Sequence, residues 1–164
     1  MLQKSEITEQ KIWNFLKEVP DPEIPVLNIV DLGIVRDVRL DNDDLTVIIT
    51  PTYSGCPAMQ AIEDDIAAKL KENGFQNVKL CTVLSPAWTT DWLTDEAKKK
   101  LMEYGIAPPE MVTTDKNVLL DKPKECPHCG SENTEMKSRF GSTACKALYV
   151  CRDCSEPFDY FKCH

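Results

Sequence analysis

The chain has 164 residues, of which 42% are hydrophobic and 28% charged, and a net charge of -8, the make-up of a soluble globular protein with one main domain and an appendage. No apolar run approaches the roughly 20 residues that span a bilayer, and Met1-Leu2-Gln3-Lys4-Ser5-Glu6 lacks the apolar core of a signal peptide. The expected setting is therefore the cytoplasm without a membrane partner, where clustered cysteines serve as metal ligands more often than as disulfides. Residues 124–164 hold six basic and six acidic side chains, so the whole negative charge lies in residues 1–123. An acidic body with a neutral tail has no field to gather phosphates, and no nucleic-acid partner is expected.

Along residues 8–19, Trp13 and Leu16 stand three apart and Phe15 and Val19 four apart, the spacing of an amphipathic helix that Pro20 and Pro22 then stop. The stretch 20–25 is too rich in proline for a helix or a central strand. Alternation of Ile34, Val38 and Leu40 with Asp37 and Arg39 predicts a half-buried strand. Asp41-Asn42-Asp43-Asp44 is turn chemistry, and residues 45–50 form the second arm of a hairpin. A loop over 51–57 leads to a helix from about residue 58 to 73, with Met59, Ile62, Ile66 and Leu70 facing inward and Gly74 as its stop. A third strand follows over 78–84, then a helix capped by Thr94 and ended by Gly105. The order helix, strand, strand, helix, strand, helix predicts an α+β fold, a small sheet covered by helices over residues 1–107. Residues 108–123 read as a linker, and residues 124–164 as a cysteine-rich β module resembling a zinc ribbon.

Within that module, Cys126-Pro127-His128-Cys129 and Cys151-Arg152-Asp153-Cys154 are two CxxC knuckles. A two-residue gap lets both thiolates of a knuckle face one ion. The 21 residues between Cys129 and Cys151 lie one beyond the usual window for such sites and leave room for a hairpin over 136–150. Four thiolates close a tetrahedral site, which points to a structural ion, zinc first, although the same donor set suits iron–sulfur chemistry. A module of about 40 residues buries too little core to fold alone, so the metal would supply much of its folding free energy. Cys145 and Cys163, with His164 at the chain end, leave two readings open: a packed thiol beside a frayed terminus, or further metal ligands.

Cys56 stands in Ser54-Gly55-Cys56-Pro57 where strand gives way to helix. The positive end of the helix dipole would lower its thiol pKa. A reactive or metal-binding thiolate and a small buried residue are both compatible with that position. Asp21 and Glu23, in the proline-rich loop, could orient a metal or partner or could face water. Cys81, inside the third strand, reads as core.

Asp21-Pro22-Glu23-Ile24-Pro25, Asp31-Leu32-Gly33 and Ser54-Gly55-Cys56-Pro57 together resemble the iron–sulfur assembly domain of the SufT type over roughly the first hundred residues. With Phe140-Gly141-Ser142-Thr143-Ala144-Cys145-Lys146 and Glu156-Pro157-Phe158-Asp159-Tyr160-Phe161-Lys162-Cys163-His164, the whole chain resembles the PaaD family, accessory proteins of the bacterial phenylacetyl-CoA epoxidase system. The resemblance implies a role in assembling or delivering iron or iron–sulfur centres in phenylacetate degradation. The implied partners are the epoxidase subunits and the iron–sulfur assembly machinery. It further implies that Cys56, with Asp21 and Glu23 beside it, touches the iron or cluster in transit, and it makes Cys145 and Cys163 look more functional than spacing alone does. The alternative is a scaffold subunit of the oxygenase that carries structural zinc and handles no iron. No catalytic constellation is evident: Cys56 has no CxxC partner or basic neighbour, and both histidines, His128 and His164, stand beside ribbon cysteines.

Overall fold

The computed structural model describes residues 8–53, 55–109, 123, 125–143 and 145–161. The protein is α+β and divides after Trp88 into two compact units.

In the first unit, α1 (Glu9–Leu16) is followed by a long loop, the strands β1 (Val35–Asp41) and β2 (Asp44–Ile49), helix α2 (Met59–Glu72) and strand β3 (Asn77–Thr82). β1 and β2 form the predicted hairpin, with Asp41 opposite Asp44. Asn42 takes the left-handed conformation at φ 56° in the two-residue turn, which Asn accepts at low cost. β3 pairs with β2 in parallel, a connection that requires a crossover, and α2 is that crossover. The sheet order is β1-β2-β3. Leu45, Val47 and Ile49 alternate inward along β2, and α1 and α2 bury Ile12, Leu16, Ile62, Ile66 and Leu70 in the same core. Helix α1 packs on β1 and α2, and α2 on β3. Met59 and Cys81, both expected inside, are only half-buried.

The loop between α1 and β1 is closed on itself. Pro20 bridges Asn28, Asp21 N–H donates to Leu27 O at 2.8 Å, and Ile29 N–H donates to Val19 O at 3.1 Å. The Asn28 side chain accepts from Val30 and Asp31 N–H and donates to Asp31 Oδ2 at 2.8 Å. Trp88 then donates its indole N–H to Leu32 O at 2.9 Å. These bonds make the two acidic motifs of the first unit a stiff surface instead of a slack linker.

The second unit contains α3 (Asp95–Tyr104) and the strands β4 (Ile106–Ala107), β5 (Thr134–Ser138), β6 (Lys146–Cys151) and β7 (Pro157–Phe161). Thr94 caps α3 through Ala97 N–H at 3.1 Å, and Gly105 ends it at φ 90°, both as the sequence predicts. β5 and β6 are the expected hairpin, but the sheet has four strands in the order β4-β7-β6-β5. Division after Trp88, ahead of the expected limit at residue 107, follows from this pairing: β4 joins β7 and draws α3 with it. Most of the expected linker lies outside the described residues. Tyr149, Phe158 and Tyr160 form the aromatic centre, with Tyr149 stacked on Phe158 at 5.9 Å and edge-on to Tyr160 at 5.7 Å.

Ile66, with none of its surface exposed, is central to the first core. Ile66→Ala is expected to cost about 2–5 kcal/mol through lost burial and the cavity left behind, read as a lowered midpoint in urea unfolding of the metal-loaded protein.

Candidate metal centre and thiol site

Cys56 sits three residues ahead of α2, whose cap position is Ala58. Its amide donates to Tyr53 O at 3.2 Å, and its carbonyl accepts from Met59 N–H at 3.3 Å. Gly55 supplies the positive φ, 82°, that turns the chain ahead of it, a conformation that side chains with a Cβ rarely adopt. The half-buried thiol meets the Ala58 N–H and the side chains of Thr52 and Tyr53.

Burial pushes the Cys56 thiol above its ordinary value, and the negative charge of Glu23 adds to the rise. Together they outweigh the hydrogen bonds from Ala58, Thr52 and Tyr53 that lower it. The expected depression by the helix dipole is therefore corrected. The dipole argument considers only the local chain, whereas desolvation and a carboxylate from a distant loop both disfavour the thiolate. Glu23 itself is held by Asp21, whose buried carboxylate oxygen Oδ1 accepts from Glu23 N–H and Ile24 N–H, each at 2.8 Å. The structure thus brings two of the sequence candidates, Glu23 and Cys56, within electrostatic reach of each other and makes Asp21 the residue that shapes the loop between Pro20 and Pro25. Sequence reasoning passed over Thr52 and Tyr53 as thiol partners, although their nearness to Cys56 along the chain is a usable signal.

In the second unit, Cys126, Cys129, Cys151 and Cys154 place their sulfurs within 4.8 Å of one another. Cys126 and Cys154 lie 3.8 Å apart, and Cys129 and Cys151 3.6 Å. A tetrahedron built on Zn–S bonds of about 2.3 Å has edges of about 3.8 Å, so these distances fit one tetrahedral ion. A cluster, with several irons between its ligands, would spread the sulfurs further. If zinc is bound, these four residues would hold it and close its coordination sphere, leaving no open position for chemistry.

The two knuckles are built alike. In the first, Gly130 N–H donates to Cys126 O at 2.8 Å and Cys126 N–H to Ser131 O at 2.8 Å. In the second, Ser155 N–H donates to Cys151 O at 2.9 Å and Cys151 N–H to Glu156 O at 3.0 Å. Gly130 and Ser155 take the same left-handed turn, at φ 77° and 65°. Amides also point at the sulfurs, with His128 N–H on Cys126 at 3.4 Å and Cys154 N–H on Cys151 at 3.5 Å. The amide of Cys154, helped by that of Asp153, pulls the Cys151 thiol down to about 7 against the opposing effect of burial. Cys154 receives an amide bond from Glu156, yet desolvation and its three sulfur neighbours push it up to about 12. Four such thiols cannot all ionise together without a cation.

Cys145 is buried and its Sγ lies 3.0 Å from Thr143 Oγ1. It precedes the first residue of β6 while Cys151 is the last, which separates them by about 20 Å along a strand. It therefore stands outside the four-sulfur cluster. Cys163 and His164 lie outside the described residues. His128 is exposed at the tip of the first knuckle, as expected for a loop residue. Lys146 is buried, its ammonium 3.4 Å from Ser142 Oγ, and that hydroxyl is also 3.4 Å from Asp159 Oδ2.

Two family models match the chain: the PaaD zinc beta ribbon domain over residues 111–162 and the iron-sulfur cluster assembly protein domain over residues 9–79. A protein of Escherichia coli K12, provisionally named as one of the subunits of 1,2-phenylacetyl-CoA epoxidase, is 50% identical over 93% of this chain and 92% of its own. An Fe-S protein maturation auxiliary factor of Porphyromonas gingivalis is 38% identical over 57% of this chain and 90% of its own. The crystal structure of a domain of unknown function, DUF59, from Bacillus anthracis superposes with a TM-score of 0.54 and 32% identity, covering 57% of this chain and 90% of that one.

The raised thiol has a direct readout. With the ribbon sulfurs protected by zinc, Cys56 should alkylate more slowly than a free cysteine near neutral pH, because less of it is thiolate. Glu23→Gln removes the nearby charge, which lowers the thiol pKa and should raise the alkylation rate at about pH 8. Peptide-level mass spectrometry follows the modification, and an equal or slower rate in the variant contradicts the contact.

Proposed function

The chain belongs to the PaaD family, and from that premise we propose that it is an accessory protein of a phenylacetyl-CoA epoxidase in phenylacetate degradation that assists assembly or delivery of iron or iron–sulfur centres. Cys56 is the transient contact for the iron or cluster in transit, Glu23 the anionic neighbour, and Asp21 the residue that holds Glu23 in place. The observation that carries this reading is a half-buried thiol just ahead of α2, within electrostatic reach of Glu23 in a loop that the Asp21 carboxylate fixes. A thiol near a carboxylate is a poor nucleophile while protonated, yet a bound cation favours the thiolate and gives both groups a charge to ligate. The 38% identity with an Fe-S protein maturation auxiliary factor supports the same assignment for the first unit.

The ribbon serves as the support that docks on a client subunit, with zinc as its resident ion. Four sulfurs spaced for one tetrahedral ion favour zinc, and Met136 and Phe140, 50% and 61% exposed, give it apolar contact points. Partners in this reading are the epoxidase subunits and components of iron–sulfur assembly.

Cys56→Ser should abolish activation of the epoxidase while leaving the fold and the ribbon's metal content intact. Unchanged activation in the variant rules out the transfer role. That the Escherichia coli relative is named as a subunit favours a second reading, a scaffold that stays in the oxygenase with structural zinc and handles no iron. The two differ in stoichiometry: a maturation factor activates many epoxidase complexes in turn, whereas a scaffold is required in equal amount.

A further inference from the structure

Each knuckle's own hydrogen bonds set the spacing of its two sulfurs, but they do not set the distance from one knuckle to the other. Strand pairing does part of this, since Thr134 opposes Cys151 at the root of the second knuckle. The tip of that knuckle is tied separately. Asp153, between Cys151 and Cys154, accepts from Ser131 Oγ–H at one carboxylate oxygen. At the other it accepts from Asn133 Nδ2 at 3.0 Å. Ser131 and Asn133 follow the first knuckle directly, and their own arrangement is fixed: Asn133 N–H donates to Ser131 Oγ at 3.0 Å, and Asn133 O accepts from Arg152 N–H at 2.8 Å.

The two knuckles match in their internal bonds and differ here. His128, at the corresponding position of the first knuckle, and Asp153 are both exposed, but the Asp153 carboxylate crosses to the opposite segment and bonds there. We propose that Asp153, with Ser131 and Asn133, is a positioning group for the metal: a carboxylate bridge that holds the two sulfur pairs at tetrahedral separation and so slows release of the ion. Asp153 ligates nothing in this role. Partners bonded directly to a metal ligand typically change metal affinity by about 10- to 100-fold when removed, and Asp153, one bond further out, should act less strongly.

The test is the rate at which the zinc-loaded full-length protein gives up its ion to a chromophoric chelator, compared with Asp153→Ala, Asp153→Asn, Ser131→Ala and Asn133→Ala. Asp153→Ala should release zinc about 3- to 10-fold faster, less than the roughly 10- to 100-fold seen when a partner bonded to the ligand itself is lost. Asp153→Asn, which keeps an acceptor for Ser131, should fall between it and the parent, and each single partner variant should show a smaller increase. The cobalt-substituted proteins should all keep tetrahedral ligand-field intensity, since all four sulfurs remain. Release within about twofold of the parent in the Asp153 variants overturns the proposal, as does loss of tetrahedral intensity, which would mean that a ligand has been displaced. Should Asp153→Ala fail to fold, Ser131→Ala and Asn133→Ala decide, and parental rates in both overturn it. The outcome is independent of Cys56, so it neither rests on nor tests the delivery role.

Discussion

Four sulfurs gathered within 4.8 Å of one another impose a condition that the second unit is built to meet. As thiolates they repel one another, and as thiols they add little to the strand pairing and the Asp153 bonds that join the two knuckles. A single cation resolves both, and the distances between the sulfurs are those of one tetrahedral ion. The sheet behind the site is small: its buried centre is Ala107, Cys126, Ala147, Tyr149, Cys151, Phe158 and Tyr160, so two of its seven members belong to the metal site itself. Core and candidate metal centre thus share residues, and an ion bound there would add directly to the stability of this unit.

The first unit solves a different problem. Hydrogen bonds from Ala58, Thr52 and Tyr53 favour its thiolate, but burial, with the charge of Glu23 added, outweighs them and raises the thiol above its ordinary value. Such a site resists alkylation and oxidation at rest and turns to binding when a cation replaces the proton. In the proposed reading this suits a group that holds metal briefly. The rigidity of the loop matters as much as its charge, because Asp21 spends a buried carboxylate oxygen on the amides of Glu23 and Ile24. In that reading the two units divide the labour between a closed, permanent site and a conditional one.

Local signals in the sequence carried the parts of this architecture that are locally determined. Helix stops at Gly74 and Gly105, the Thr94 cap, the hairpin turn at Asn42 and the CxxC pairs all follow from chemistry within a few residues. Strands β4 and β7 were not legible, since Ile106–Ala107 is a strand only because β7 lies beside it, its paired residues 53 positions further along the chain. The same limit explains the reversed pKa of Cys56. A dipole three residues away can be read from the sequence, but Glu23, 33 positions earlier, acts only once the loop between Pro20 and Asn28 has closed. Asp153 was visible inside its knuckle, yet nothing in the spacing marks it as the residue that reaches back to Ser131 and Asn133.

In the proposed reading one resident ion occupies the ribbon while iron, where handled, passes through the other unit. Metal analysis with an absorption spectrum, on protein purified without oxygen, tests it most directly. The account predicts zinc at about one equivalent and no visible band, as expected for a filled d shell in a closed tetrathiolate site. Iron and sulfide held in stoichiometric amount, with a broad visible absorption that disappears when the ribbon cysteines are replaced by serine, would contradict it.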